Sequence, residues 1–311
     1  MKAINNQLRN STSWRDASGT IDYPATNDLI FHMILERDEE VLQGLISSLL
    51  HIPLEDIIST HIENPLMLAD YVDHKGYTMD IKVRLNDNSI INLEMQVINE
   101  ANWTDRSLSY LCRNFDNVAR GDDYYDVMPV THIGILDFNL FPEYPEFYAT
   151  YKLMNIKNQH VYNDKFTLSV LSLNQIDIAT DEDKKWSINQ WAKIFKAKTW
   201  EDLRMAATTT TLEKVADSIY VQNTDDQIRY AMFKKQEAEI HEARLKRKQA
   251  ELELQITEAE TKLNDTESKL NDTESKLNDT EAKLIEANNK LDEKDAKIAE
   301  LQNRLAALEK K

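Results

Sequence analysis

Asp80 and Glu94 lie on two runs in which polar and apolar residues alternate, MDIKVRL (79–85) and IINLEMQ (90–96). Lys82 follows the first acid by two residues and Gln96 follows the second by two. Two carboxylates on one sheet face are hard oxygen ligands of the kind that Mg²⁺ takes while keeping several waters. An ion held there could activate water and stabilise the transition state of phosphoryl transfer. The same residues also have a plainer reading, a surface ladder in which Asp80 and Glu94 pair with the bases Lys82 and Arg84. Spacing leaves both readings open.

The positions depend on a hairpin. Alternation puts Asp80, Lys82 and Arg84 on one face and Ile81, Val83 and Leu85 on the other; in the second run Asn92, Glu94 and Gln96 oppose Ile91, Leu93, Met95 and Val97. The apolar sets share a face only if paired residue numbers sum to an even value, and 174 is the natural choice. Val83 then faces Ile91, Leu85 faces Ser89 and Asp80 faces Glu94, around a three-residue loop Asn86-Asp87-Asn88. This register brings the two acids to about 5 Å between Cβ atoms. Like charges so placed raise each other's pKa unless a cation intervenes.

Around the hairpin, TNDLIFHMILERDEEVLQGLISSLLHI reads as one or two helices, with Thr26 or Asn27 as N-cap and Leu29, Met33, Leu42, Leu45, Ile46 and Leu49 as apolar contacts. Strands are expected at Tyr77–Leu85 and Ser89–Asn99, then an amphipathic helix from Thr104 to Arg120 stopped by Gly121. The run from about Val127 to Phe141 reads as a buried strand, FYATYKLMN and KFTLSVLSL as two more, and helices take over from Lys184. This order predicts an α/β fold around a central sheet.

All five glycines and all six prolines precede Glu146, which separates a turn-rich part from a helix-rich one. The expected divisions are a polar tail over 1–22, a folded domain over 23–200, a helical connector over 201–240 and a coiled coil over 241–311. In the last, KLNDTES, KLNDTES and KLNDTEA follow one another, and Leu or Ile recurs every seven residues from Ile256 to Leu305. That period specifies a left-handed coiled coil. Lys262, Lys269, Lys276 and Lys283 occupy g positions and Glu267, Glu274 and Glu281 occupy e, which suits a parallel homodimer. A single helix held by local charge pairs is the other reading.

Net charge is −17, with 20 basic against 34 acidic residues in 1–225 and 17 against 20 beyond. Such a domain lacks the general phosphate attraction of nucleic-acid binders; bound divalent ions would reverse the sign only locally. One cysteine, Cys112, excludes an intramolecular disulfide and a thiolate zinc site. The chain has no signal-peptide-like apolar segment near Met1 and no apolar run of membrane-spanning length, so a cytoplasmic protein is expected. Nucleotide-binding loops and the serine-nucleophile elbow are absent from the sequence as motifs.

The stretches DIK (80–82) and IINLEMQ (90–96), with TNDLIF, NWTDRSLSYLCRNFDNVARGDDY and HIGILDFNLFPEYPEFYATYKLMN around them, resemble the PD-(D/E)XK nuclease family transposases, also called the Rpn family of recombination-promoting nucleases. The likeness covers about residues 23–220. It implies a restriction-endonuclease-like core, α-β-β-β-α-β, followed here by a helical region and a long coiled coil, and metal-dependent DNA cleavage with Mg²⁺, or Mn²⁺ in its place. Asp80 matches the first catalytic aspartate, and Glu94 with Gln96 matches the last motif in an E-x-Q form. Asp80 and Glu94 are then the metal ligands. The wider superfamily has lysine where Gln96 stands; Lys82 is a candidate to supply the ammonium, or is a salt-bridge partner.

Arg106, Tyr110 and Arg113 share a helix face that the resemblance brings toward the site as phosphate contacts. Asp28 and Glu36 are further acids with either a site role or ordinary helix-end and surface roles. His132 reads as a satisfied core or edge residue, and Trp103, Trp186 and Trp191 as packing. No helix-turn-helix or zinc module accompanies these segments. The expected partners are DNA and a second copy of the chain; the alternative is a nuclease-like interaction module, weakly active or inactive, assembled through its coiled coil.

Overall fold

The computed structural model of the protein describes residues 11–64, 81–118, 121 and 123–308. Two helices open the domain. Helix α1 (Asp28–Arg37) starts at Asn27, whose side chain accepts from the amides of Leu29 and Ile30, and has Asp28 in its first turn and Arg37 in its last. Those charges complement the helix dipole. Asp38 ends α1 and caps α2 (Glu39–Leu50), which stops at His51 in the left-handed region, φ 57°, with its N–H on the Ser47 carbonyl. The imidazole of His51 then stacks on Trp186, 5.3 Å between centroids.

Among the described residues six strands follow in one sheet: β1 (Thr60–Ile62), β2 (Ile81–Leu85) and β3 (Ile90–Gln96), then helix α3 (Trp103–Phe115), then β4 (Val130–Leu136), β5 (Tyr148–Lys152) and β6 (Phe166–Ser172). Their spatial order is β1-β2-β3-β4-β6-β5. The first three are antiparallel, β4 runs parallel to β3 and β6 parallel to β4, and β5 returns antiparallel along the edge. The parallel step from β3 to β4 requires a crossover, and α3 is that crossover.

The hairpin register is the one that apolar alternation demands: Val83 faces Ile91 and Ile81 faces Leu93. Asn88 turns the loop with φ 65°, and the Asp87 carboxylate accepts from the Ser89 amide and hydroxyl. Asp80 lies outside the described residues, as do the first four residues of the strand expected from Tyr77. Helix α3 is shorter than expected. Asn117 bonds the carbonyls of Asn114 and Met128 and accepts from the Met128 amide, so the chain leaves the helix before Gly121.

Both faces of the sheet are covered. Ile81, Val83, Ile91, Leu93, Ile133 and Ile135 join α1 and α2 in the main core. Helices α4 (Asp181–Lys185), α5 (Ile188–Lys196), α6 (Trp200–Ala206) and α7 (Thr210–Thr224) follow the sheet. Trp191, Phe195, Trp200 and Val215 from these helices belong to the same core. On the opposite face, α3 lays Trp103 and Leu111 over β3, β4 and β6. Within the stretch read as a polar tail, Trp14, Ala17 and Ile21 are buried, because a β-bridge between Thr20 and Thr199 ties it to the domain.

The chain divides into two compact units, Met1–Glu237 and Ala238–Lys311. Helix α8 (Asp226–Leu308) begins in the first, where Ile228, Ala231 and Met232 are buried and Arg229 bonds Asp22 at 3.0 Å. The second unit is helical, and the heptad residues from Ile256 to Ile298 are 52–64% exposed, an apolar stripe along one face. Lys269 and Lys283 pair with Asp265 and Asp279 one turn earlier, at 2.7 and 2.6 Å. No helix among the described residues is long and apolar enough to cross a membrane.

Candidate functional site

The polar face of β3 is not a solvent face. Asn92 and Glu94 are 0% and 5% exposed; α3 packs on the neighbouring β4 and β6 and sends Arg106 across to Glu94. What allows the close approach is Gly134, opposite Glu94 in the parallel ladder: a Cβ there would stand 2.1 Å from the Trp103 ring. A carboxylate so buried needs a partner, since leaving it unpaired costs several kcal/mol.

The surface-ladder reading therefore divides. Lys82 and Arg84 do form a ladder, but with Glu63, which follows β1, a strand too short to be seen in the sequence pattern. Lys82 Nζ is 2.9 Å from one Glu63 oxygen and Arg84 is 2.5 Å from the other. Burial pushes the Glu63 carboxyl up, but hydrogen bonds and charge from the two bases outweigh it and the group sits below its ordinary value. Lys82 thus pairs with Glu63, and Glu94 takes its cation from α3.

Arg106 is that cation. One Nη2 nitrogen serves both Glu94 Oε1 and Gln96 Oε1, and Nη1 lies 3.7 Å from Glu100. The Gln96 amide nitrogen donates to the Ile98 carbonyl at 2.8 Å, which fixes its oxygen toward the guanidinium. Gln96 consequently presents an acceptor toward the guanidinium, at the position where the wider superfamily has lysine. Tyr110, one turn beyond Arg106, faces inward over the same strands, while Arg113 is exposed. The helix face read from spacing divides between an inner pair and an outer third residue.

His132, fully buried on β4 opposite Asn92, completes the cluster. Its Nδ1 is 2.9 Å from Asn92 Nδ2 and its Nε2 is 3.6 Å from Glu94 Oε2. The ring lies between Trp103 and Tyr110, with centroids 5.6 and 6.1 Å away. Burial first, and then the Arg106 charge, push its pKa down to about 4, so it is neutral near pH 7. Sequence reasoning made His132 a core or edge residue and missed its nearness to Glu94, because that depends on the β3–β4 register. Trp103 packs, as expected, and its ring also lies 5.7 Å from the Arg106 guanidinium.

The helix acids lie on the other side of the sheet. Asp28 pairs with Lys235 at 2.6 Å, and Glu36 stands 3.5 Å from the buried His32. A cleft of about 590 Å³, with Lys184, Lys193 and Lys196 among its lining, shares no residue with the Glu94 cluster. Among the described residues no three His, Cys, Asp or Glu side chains are grouped to hold a metal ion. Glu94 and the Gln96 carbonyl are nevertheless hard oxygen donors converging on a positive charge, the donor chemistry that suits a divalent cation of the Mg²⁺ class.

No curated protein and no solved structure matches the chain. A family model does, and its span takes in the helical pair, the hairpin, α3 with Arg106, and the strand that carries His132. By that match over residues 25–250, the chain belongs to the PD-(D/E)XK nuclease family transposases.

Proposed function

We propose that this protein is a divalent-metal-dependent DNA endonuclease whose site is built on the β2–β3 hairpin, with a restriction-endonuclease-like core. Family membership suggests a nuclease or transposase-like activity, and PD-(D/E)XK nucleases generally use divalent metals. The observation that carries the reading is the burial of Glu94 beside Gln96, with one guanidinium shared between them. A carboxylate withdrawn from water and drawn to a cation is what a metal-assisted hydrolase needs.

Asp80 and Glu94 would hold the ion, Mg²⁺ first and Mn²⁺ second. When bound, it lowers the pKa of water and stabilises charge on phosphoryl oxygens. Gln96 offers its carbonyl oxygen to position that water. Arg106 and Tyr110, on the covering helix, are placed to meet a backbone phosphate once Arg106 leaves Glu94. Lys82 orders the hairpin edge through Glu63, and Arg113, one turn further out, meets the strand farther from the cut. The tail joins two such domains as a parallel homodimer, through the exposed heptad stripe and its g–e charges. Two single-strand cutters so joined can break both strands, the requirement of a recombination role.

One feature favours a second reading, a nuclease-like interaction module working through its coiled coil. Arg106 closes on both candidate site groups, and the domain around them is acidic.

Cleavage of supercoiled plasmid by the full chain with Mg²⁺ or Mn²⁺ at low salt separates the two. Nicking abolished by Asp80→Ala and by Glu94→Ala is the expected result. Nicking that survives both substitutions overturns the site assignment, and no nicking in any sample leaves the interaction reading.

A further inference from the structure

Asn92, His132 and Glu94 form a buried chain of contacts across β3 and β4 in which each group restricts the next. The amide nitrogen of Asn92 can only donate, so His132 Nδ1, 2.9 Å away, accepts. A neutral imidazole that accepts at Nδ1 carries its proton on Nε2. That nitrogen is the one directed toward Glu94 Oε2, 3.6 Å away. The distance exceeds a hydrogen bond, so the interaction is that of an N–H dipole with a nearby charge.

Turning the Asn92 amide over would place its oxygen on Nδ1, move the proton there, and set the Nε2 lone pair against a carboxylate. The negative charge of Glu94 decides between the two orientations. The ring is wholly buried, with the Trp103 and Tyr110 rings 5.6 and 6.1 Å away, which leaves it little room to swing and relieve such a clash. Arg106 thus holds Glu94 at Oε1, while Oε2 faces the imidazole at 3.6 Å.

We infer that His132 is a positioning residue of this site: with its tautomer set by Asn92, it aims Nε2–H at Glu94 and holds the carboxylate in the orientation in which a divalent cation would meet it. This rests on the metal-site reading above. Outer-shell partners of ligands typically change metal affinity by about 10- to 100-fold when removed. Simple core filling by His132 would demand only an aromatic ring of similar size.

The test is Mn²⁺ binding by the full chain, followed calorimetrically and by the Mn²⁺ electron paramagnetic resonance signal, with thermal melts to report folding. His132→Phe, which keeps the ring and loses the donor, should weaken binding by about tenfold. His132→Gln, which retains a donor, should recover most of it. Should His132→Phe fail to fold, Asn92→Leu gives a second comparison: it leaves the imidazole in place and removes the amide donor that holds Nδ1 as an acceptor, so binding should fall by a smaller factor. Wild-type affinity in folded His132→Phe or, where that variant is unfolded, in Asn92→Leu overturns the inference, as does a His132→Gln variant no better than His132→Phe. Binding that survives Glu94→Ala, or no binding by the wild type, is a different result: it removes the metal site itself, and the inference falls with it.

Discussion

The indole of Trp103 occupies the space where a side chain on Gly134 would begin, with its Cζ2 atom 2.1 Å from that position. Gly134 stands beside Glu94 in the parallel ladder, so this contact sets how near α3 comes to the buried carboxylate. Gly134→Ala should destabilise the domain by about 1–3 kcal/mol, the usual cost of overpacking a rigid core. Trp103→Leu, which opens the same space, should make the two changes strongly non-additive. Urea unfolding of the two single variants and the double variant checks this; additive losses would mean that the helix simply shifts outward.

Arg106 balances a carboxylate that is otherwise withdrawn from water. Its replacement by Ala should cost about 3 kcal/mol in metal-free buffer, because the loss strands a buried charge. Added Mg²⁺ should restore part of that loss by binding where the guanidinium stood. Thermal melts with and without Mg²⁺ read both quantities, and an equal loss in the two buffers would count against a cation site at Glu94.

Tyr148 makes a pH-dependent contribution to stability remote from the site. Its hydroxyl donates to the Leu49 carbonyl at 2.5 Å, and burial pushes its pKa from 10.0 up to about 12. The folded-state value is raised, so this contribution is complete below pH 10 and is lost as pH rises through 12. A shift of this size corresponds to about 2–3 kcal/mol. Tyr148→Phe should remove that alkaline component, and at pH 7 should cost about 1 kcal/mol through the carbonyl left without its donor. Denaturation midpoints at pH 8 and 11 for both proteins test the sign.

The exposed heptad stripe leads to a separate expectation. Light scattering of the full chain should give twice the monomer mass, and Leu277→Asp with Leu284→Asp should return it to the monomer, since charges at a positions oppose the seam. A wild-type monomer at micromolar concentration would remove the stalk from the proposed function.

Several features of the site were legible before any fold was known. Opposed strands share faces only in registers of one parity, which sufficed to pair Val83 with Ile91 and to put Lys82, Asn92 and Arg84 on one face. The N-cap, narrowed to Thr26 or Asn27, and the heptads were equally local. The end of α3 was not, because Asn117 reaches across to Met128, and neither was β1, whose three residues have no periodicity of their own.

The amino-acid sequence by itself determined which side chains travel together: Glu94 with Gln96, Arg106 with Tyr110, and the leucines of the tail. Periods of two and of 3.6 residues are properties of the backbone and act over short range. Tertiary structure decided what covers each face. It buried Glu94 under α3, sent Lys82 to Glu63 while giving Arg106 to Glu94, set β6 between β4 and β5, and brought His132 from a separate strand to the carboxylate. Those outcomes depend on where a glycine lets an indole approach and on which strand lies next to β3, and both come from contacts between residues far apart in the chain.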